Sequence, residues 1–412
     1  MSVSQFQPPF SLAALTEIDL LLAALTFVAG TLVGSFANVV IYRLPRSESV
    51  VFPGSHCPHC NRKLGPLELV PILSWLLQRG RCRGCGARIW ARYPLVELLT
   101  GILFLLVYLR WPAGTFGATL LPVLAVVTLL VILAFIDADT FTLPDVLVFP
   151  ALAVALLGSL VYAPGSGLPD PGEALWGAGL GAGGIVMLNR VGGLLLRRFR
   201  DTRERLWPLG FDLVNIVALV GLLLGLEIAL VTGLLVLIRN LAVRRSLRLP
   251  EPIILSLWLI GALYAGVTAA AGAGGGGGLL LFEAPLLALR DSLAAAGVAA
   301  VAGGLYWWLH DALQARKGQP EPDADEEETQ EPVAMGFGDV KLAAVIGALL
   351  GPMGLLVALL LSFLLGAFVG VLLRLLGGVR VLPFGPYLVA GALIVLFTGD
   401  ALPNWYLNAI GL

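Results

Sequence analysis

Gly336-Phe337-Gly338-Asp339-Val340-Lys341 puts an acid at the head of the apolar run Leu342 to Leu350. An ionisable side chain at the edge of hydrocarbon is costly unless it lines a polar cavity, which makes Asp339 a candidate for chemistry. The glycines beside it let backbone or substrate come close. A lone buried acid also suits a structural role, so a partner carboxylate is the feature to look for. Ile136-Asp137-Ala138-Asp139, ending another apolar run, offers one. Asp139 and Asp145, the latter in Leu143-Pro144-Asp145, compete with Asp137 for that place, or serve as helix caps or solvated charges at the membrane edge. Two close carboxylates resist double ionisation. The ionised member of such a pair activates water and the protonated one polarises a carbonyl, the chemistry of an aspartic peptidase.

Cys57-Pro58-His59-Cys60 and Cys82-Arg83-Gly84-Cys85 have the spacing of a four-thiolate zinc site. Four protein ligands close the coordination sphere, so the expected metal is structural. His56 and His59 are competing ligands that four cysteines make unnecessary.

The elements that must position these groups are membrane helices. Of the 412 residues, 58% are hydrophobic and 13% charged, and mean hydropathy is +0.91; this predicts an all-α polytopic membrane protein. The net charge of -1 gives no reason to expect nucleic acid. Glu17 and Asp19 precede the first apolar run and Arg43 and Arg46 follow it, so the positive-inside rule reads that run as a retained anchor with residue 43 onward in the cytoplasm. The predicted organisation is an anchor over 1–42, a cytoplasmic zinc-binding domain over 43–93, membrane helices with Asp137 over 94–200, an inserted membrane region with an acidic linker over 201–334, and a membrane domain with Asp339 over 335–412.

Predicted segments are Leu20 to Tyr42, Leu95 to Leu109, Phe116 to Ile136, Val146 to Tyr162 and Ala174 to Leu196, with Arg197, Arg198, Arg200, Arg203 and Arg205 inside. Asp212 to Ile238 is expected to fold as a tight hairpin near Gly225, keeping Arg239, Arg244, Arg245 and Arg248 on the basic side. Ile253 to Ala271, a flexible Gly272 to Gly278 stretch, Leu293 to Leu313 and a solvated acidic linker, Gln319 to Pro332, follow. Val340 to Leu350 and Leu355 to Leu375 form another hairpin, Arg374 and Arg380 lie inside, and Pro386 to Phe397 exits. The total is about twelve segments.

An internal repeat is also predicted. At an offset of 126, Gly210-Phe211 falls on Gly336-Phe337, Gly221 on Gly347 and Gly225 on Gly351, with half of the sixteen positions from 210 to 225 identical. Chance matching in Leu/Gly/Ala-rich sequence is the alternative. Leu213 takes the place of Asp339 and Asn215 that of Lys341, with Asp212 one residue out of register, so the first copy is expected to be catalytically inactive.

Taken in order, the motifs resemble those of the type IV prepilin peptidases, leader peptidases and N-methyltransferases among the GxGD membrane aspartyl proteases. They are Gly34-Ser35-Phe36-Ala37-Asn38-Val39-Val40 with Arg43-Leu44-Pro45, the two cysteine pairs, Arg92-Tyr93-Pro94-Leu95-Val96-Glu97, the motifs of Asp137, Asp145 and Asp339, and Pro383-Phe384-Gly385-Pro386-Tyr387. The resemblance implies that Asp137 and Asp339 are the catalytic pair. It also implies cytoplasmic-side cleavage of a short basic leader after a glycine, then methylation from S-adenosylmethionine. Implied partners are prepilins or pseudopilins, the bilayer of the inner membrane, and pilus or type II secretion machinery. The departure is length: family members have about eight crossings, and this chain inserts roughly 130 to 140 residues between the acids. Four extra crossings, an even number, return Asp339 to the side of Asp137. A proton-coupled transporter with a zinc module, or an inactive assembly factor, are the alternatives from other classes.

Overall fold

The computed structural model describes residues 17–195, 208–247, 249–270, 284–316, 336–376 and 382–399. The expectations for the arginines from 197 to 205, Arg248, the glycine stretch, the acidic linker and Arg380 lie outside the described residues. Regular structure is helical: α1 Glu17–Arg43, α2 Leu73–Leu77, α3 Arg92–Arg110, α4 Ala113–Thr140, α5 Asp145–Ser159, α6 Pro171–Leu195, α7 Phe211–Leu224, α8 Leu226–Val243, α9 Glu251–Ala270, α10 Pro285–Arg316, α11 Phe337–Leu375 and α12 Gly385–Thr398. Among the described residues seven helices are long and apolar enough to cross a membrane, and α5, α7 and α12 are shorter apolar helices. Seven such spans stand where the sequence predicts about twelve segments. The shorter apolar helices lack the length of a span, and α11 is counted there as one helix although Gly351 breaks it where the sequence predicts a turn.

The chain divides into two units, residues 1–171 with 356–412, and residues 172–355. In the first, α1 and α3 approach through small residues. A Cβ on Gly30 would strike Phe104 and one on Gly34 the Cα of Glu97, so glycine permits the close crossing. Ala37, Val40, Ile41, Val96, Ile132 and Ile136 join α1, α3 and α4 in one buried cluster. That cluster seats the end of α4, which carries Asp137.

Between α1 and α3 the chain forms two matching turns. Cys57 N–H bonds Arg62 O and Asn61 N–H bonds Cys57 O; likewise Cys82 N–H bonds Ala87 O and Gly86 N–H bonds Cys82 O. Asn61 and Gly86 take the left-handed conformation, φ 53° and 72°, that closes each turn.

In the second unit the predicted hairpin is present. Gly225, at φ 90° and ψ 171°, separates α7 from α8 in a conformation open to glycine alone. The legs then run back along one another: a Cβ on Gly233 would meet Val217, and the Asn240 amide donates to Pro208 O at 3.2 Å. Gly351, aligned with Gly225 at the offset of 126, breaks α11 with φ 68° and ψ 179°. Gly221 and Gly347 also correspond. Gly221 lies against Ser292 of α10 and Gly347 against Gly177 of α6, each too close for a side chain. Between them α6 and α10 cross directly through Gly179, Gly183 and Gly297. The rings of Phe211 and Phe337, equivalent in the two copies, meet edge to face at 5.9 Å. The positions aligned at that offset thus share a glycine break and a glycine pressed against a neighbouring helix.

Candidate functional site

Asp137 sits three residues from the end of α4 and is 5% exposed. Its Oδ2 accepts the backbone N–H of Gly385, at the start of α12, at 2.9 Å. The first amides of a helix have no partner within it, so the N-terminus of α12 offers a carboxylate both a donor and a favourable dipole. Gly385 must be glycine at this distance, because a Cβ there would come within 2.6 Å of Oδ2. Phe384 stacks on Phe363 with ring centroids 5.2 Å apart and fixes the approach.

The rivals of Asp137 have other surroundings. Asp139 takes Arg92 Nη1 on both oxygens, at 2.7 and 2.6 Å. Arg92 also donates to Phe135 O at 3.3 Å, tying the start of α3 to the end of α4. Asp145 opens α5 behind Pro144, in the first turn where an acid favours the helix dipole. Sequence reasoning missed the Arg92 and Gly385 contacts; both residues lie in quoted motifs, with nothing local to say what they touch.

Asp339 is in the second unit, in the first turn of α11, and 7% exposed. Its Oδ2 accepts Gly336 N–H at 3.0 Å while its own N–H donates to Gly336 O at 3.1 Å, a reciprocal cap that fixes the carboxylate on the helix. Lys341, also 7% exposed, holds its ammonium 5.2 Å from the centre of the Phe337 ring. In the first copy Asp212 and Asn215 are buried at 8% and 1%, and neither amide atom of Asn215 has a hydrogen-bond partner.

Cys57, Cys60, Cys82 and Cys85 bring their sulfurs within 4.8 Å of one another, with Cys57 and Cys85 3.9 Å apart. Tetrahedral zinc with bonds of about 2.3 Å needs sulfurs roughly 3.8 Å apart, so the donor set fits that ion. The amides of Cys85 and Gly84 draw the Cys82 thiol down to about 6. The Ala87 amide pulls Cys85 in the same direction, but desolvation and the thiols of Cys60, Cys82 and Cys57 outweigh it and push Cys85 up to about 11. Four sulfurs this close ionise together only around a cation. His56 points Nδ1 to Gly54 O at 3.0 Å, inside its own turn. Arg62 bonds Glu68 and with the Gly65 amide holds its carboxyl below the usual range.

Seven helices long and apolar enough to cross a membrane, a four-cysteine cluster and buried acids at helix ends are the features of an all-helical, multi-span protein with a metal-binding segment. The Bacterial Peptidase A24 N-terminal domain matches residues 28–111, and the Type IV leader peptidase family matches residues 244–371. The chain belongs to the type IV leader peptidase family. It is 36% identical over 192 residues to the type 4 prepilin-like proteins leader peptide-processing enzyme of Escherichia coli, covering 42% of this chain and 69% of that one. It is 45% identical over 180 residues to the prepilin leader peptidase/N-methyltransferase of Myxococcus xanthus, where the match takes in 43% of this chain and about half, 51%, of the relative. The enzyme of that name from Aeromonas hydrophila is 29% identical over 414 residues, 93% of each chain. No solved structure matches the chain significantly.

Proposed function

We propose that this chain is a membrane aspartic endopeptidase that removes the leader from type IV prepilin-like proteins and N-methylates the amino terminus so exposed. The relatives' names supply the substrate and both activities. The observation that carries the peptidase half is the buried Asp137 carboxylate held by the Gly385 amide, while its neighbour Asp139 is taken by Arg92. Asp339, fixed by its own helix start, is the second acid.

In this mechanism the ionised carboxylate removes a proton from water, and the oxygen attacks the scissile carbonyl carbon. The protonated carboxyl gives its proton to the carbonyl oxygen. Collapse of the tetrahedral intermediate breaks the C–N bond as the second carboxylate takes back the hydroxyl proton and the carbonyl re-forms, while the proton taken from water passes to the departing nitrogen, restoring the pair. Methylation draws on S-adenosylmethionine as donor and is a separate step.

Cys57, Cys60, Cys82 and Cys85 hold a structural zinc ion in this scheme. Counting α6, the shorter helices and the two legs of α11 as crossings gives about twelve. That even arrangement in the inner membrane puts both acids on the cytoplasmic side, within reach of prepilins and the pilus or type II secretion machinery. The test is coexpression with a prepilin in cells lacking their own peptidase. The native chain should cut the leader, and Asp137→Ala and Asp339→Ala should not; a transporter or assembly factor leaves the leader uncut in all three.

A further inference from the structure

The segment between α1 and α3 carries an apolar face that its own fold leaves uncovered. We propose that this face is sunk into the surface of the bilayer that α1 and α3 span. Leu69, Val70, Leu73, Leu76 and Leu77 are 42%, 37%, 58%, 56% and 76% exposed, and Trp90 is 73% exposed. Trp90 belongs to the same corner, because its neighbour Ile89 accepts the Trp75 indole N–H at 3.1 Å and donates to Gly80 O.

Depth identifies what covers this face. The 19 residues of α3 rise about 28 Å, close to the thickness of a hydrocarbon core, so Arg92 and Arg110 mark its two boundaries. Glu97 lies more than a turn inside Arg92, beside Gly34 of α1. Its Oε2 accepts the Ile72 amide at 2.7 Å. Side chains lean toward the start of their helix, which sets the Ile72 amide between the level of Arg92 and that of Glu97. The segment from 69 to 77 therefore lies in the membrane surface and not above it. There the leucines meet acyl chains and Trp90 takes the interfacial position that indole favours. Arg79, Arg81 and Arg88 are exposed beside it and suit anionic headgroups, while the nearby acid Glu68 is already engaged by Arg62.

The experiment uses the full chain in vesicles of phosphatidylcholine with roughly one quarter phosphatidylglycerol. Photoreactive benzoylphenylalanine replaces Leu73, Leu77 or, on a cysteine turn, Arg83, one at a time. Phospholipid adducts at positions 73 and 77 should exceed those at 83 about ten-fold. Equal yields at the three positions, or adducts to a second copy of the chain, overturn the proposal. Independently, Leu73→Gln with Leu77→Gln, metal content retained, should speed tryptic cleavage at Arg79 about ten-fold in vesicles; an unchanged rate also overturns it.

Discussion

Gly385 and Asp137, 248 positions apart in the chain, are joined by a buried N–H to Oδ2 bond of 2.9 Å. Any side chain at 385 would push the carboxylate from this position. Gly385→Ala should lower kcat for prepilin cleavage by about 100-fold, the scale of a misplacement near 1 Å. Expression and metal content should hold. Unchanged cleavage by Gly385→Ala would mean that this contact does not position Asp137.

Asp139→Asn separates the two acids of the α4 motif. The pair with Arg92 is partly exposed, 29% and 41% at the two side chains, and such pairs contribute about 0–1 kcal/mol. Cleavage should fall only a few-fold, against abolition for Asp137→Asn. Equal losses would reverse the assignment of roles.

Removing metal should loosen the segment between α1 and α3. Cys57→Ser, or treatment with chelator, should lower zinc stoichiometry and raise tryptic cleavage there. Because Cys82 has a pKa depressed from 9.0 to about 6, its thiolate stabilises the metal-free fold fully above pH 9, and that contribution is lost as pH falls toward 6. Metal retention should decline over the lower end of that range as protons compete for sulfur. Unchanged stoichiometry in Cys57→Ser would exclude that cysteine as a ligand.

The first repeat copy should matter for folding and not for chemistry. Asp212→Ala should leave cleavage nearly intact, and a complete loss would show that this copy acts in catalysis. Gly225→Ala, at φ 90° and ψ 171°, should cost about 1–3 kcal/mol, read as a lower thermal midpoint in detergent.

Local features carried most of what the sequence made legible. Cys-x-x-Cys spacing announces a metal cluster because its ligands lie on tight turns, and Gly225 marks a reversal because few other residues adopt its backbone. Hydropathy finds helices but does not by itself count crossings, since α5, α7 and α12 are apolar yet short. The Gly385 and Arg92 contacts depend on how distant helices pack, which no window of sequence records. Leu69 to Leu77 stayed hidden for another reason: arginines on either side make residues 43–93 read as a polar loop, and the apolar run inside it shows its meaning only when the Glu97 bond fixes its depth.

The helices of the second unit exchange partners, since α7 lies against α10, and the leading turns of α11 lie against α6. Each half is thus completed by the other across glycine seams. A chain severed between α9 and α10 and produced as two polypeptides should reassemble through those seams, much as separate subunits would.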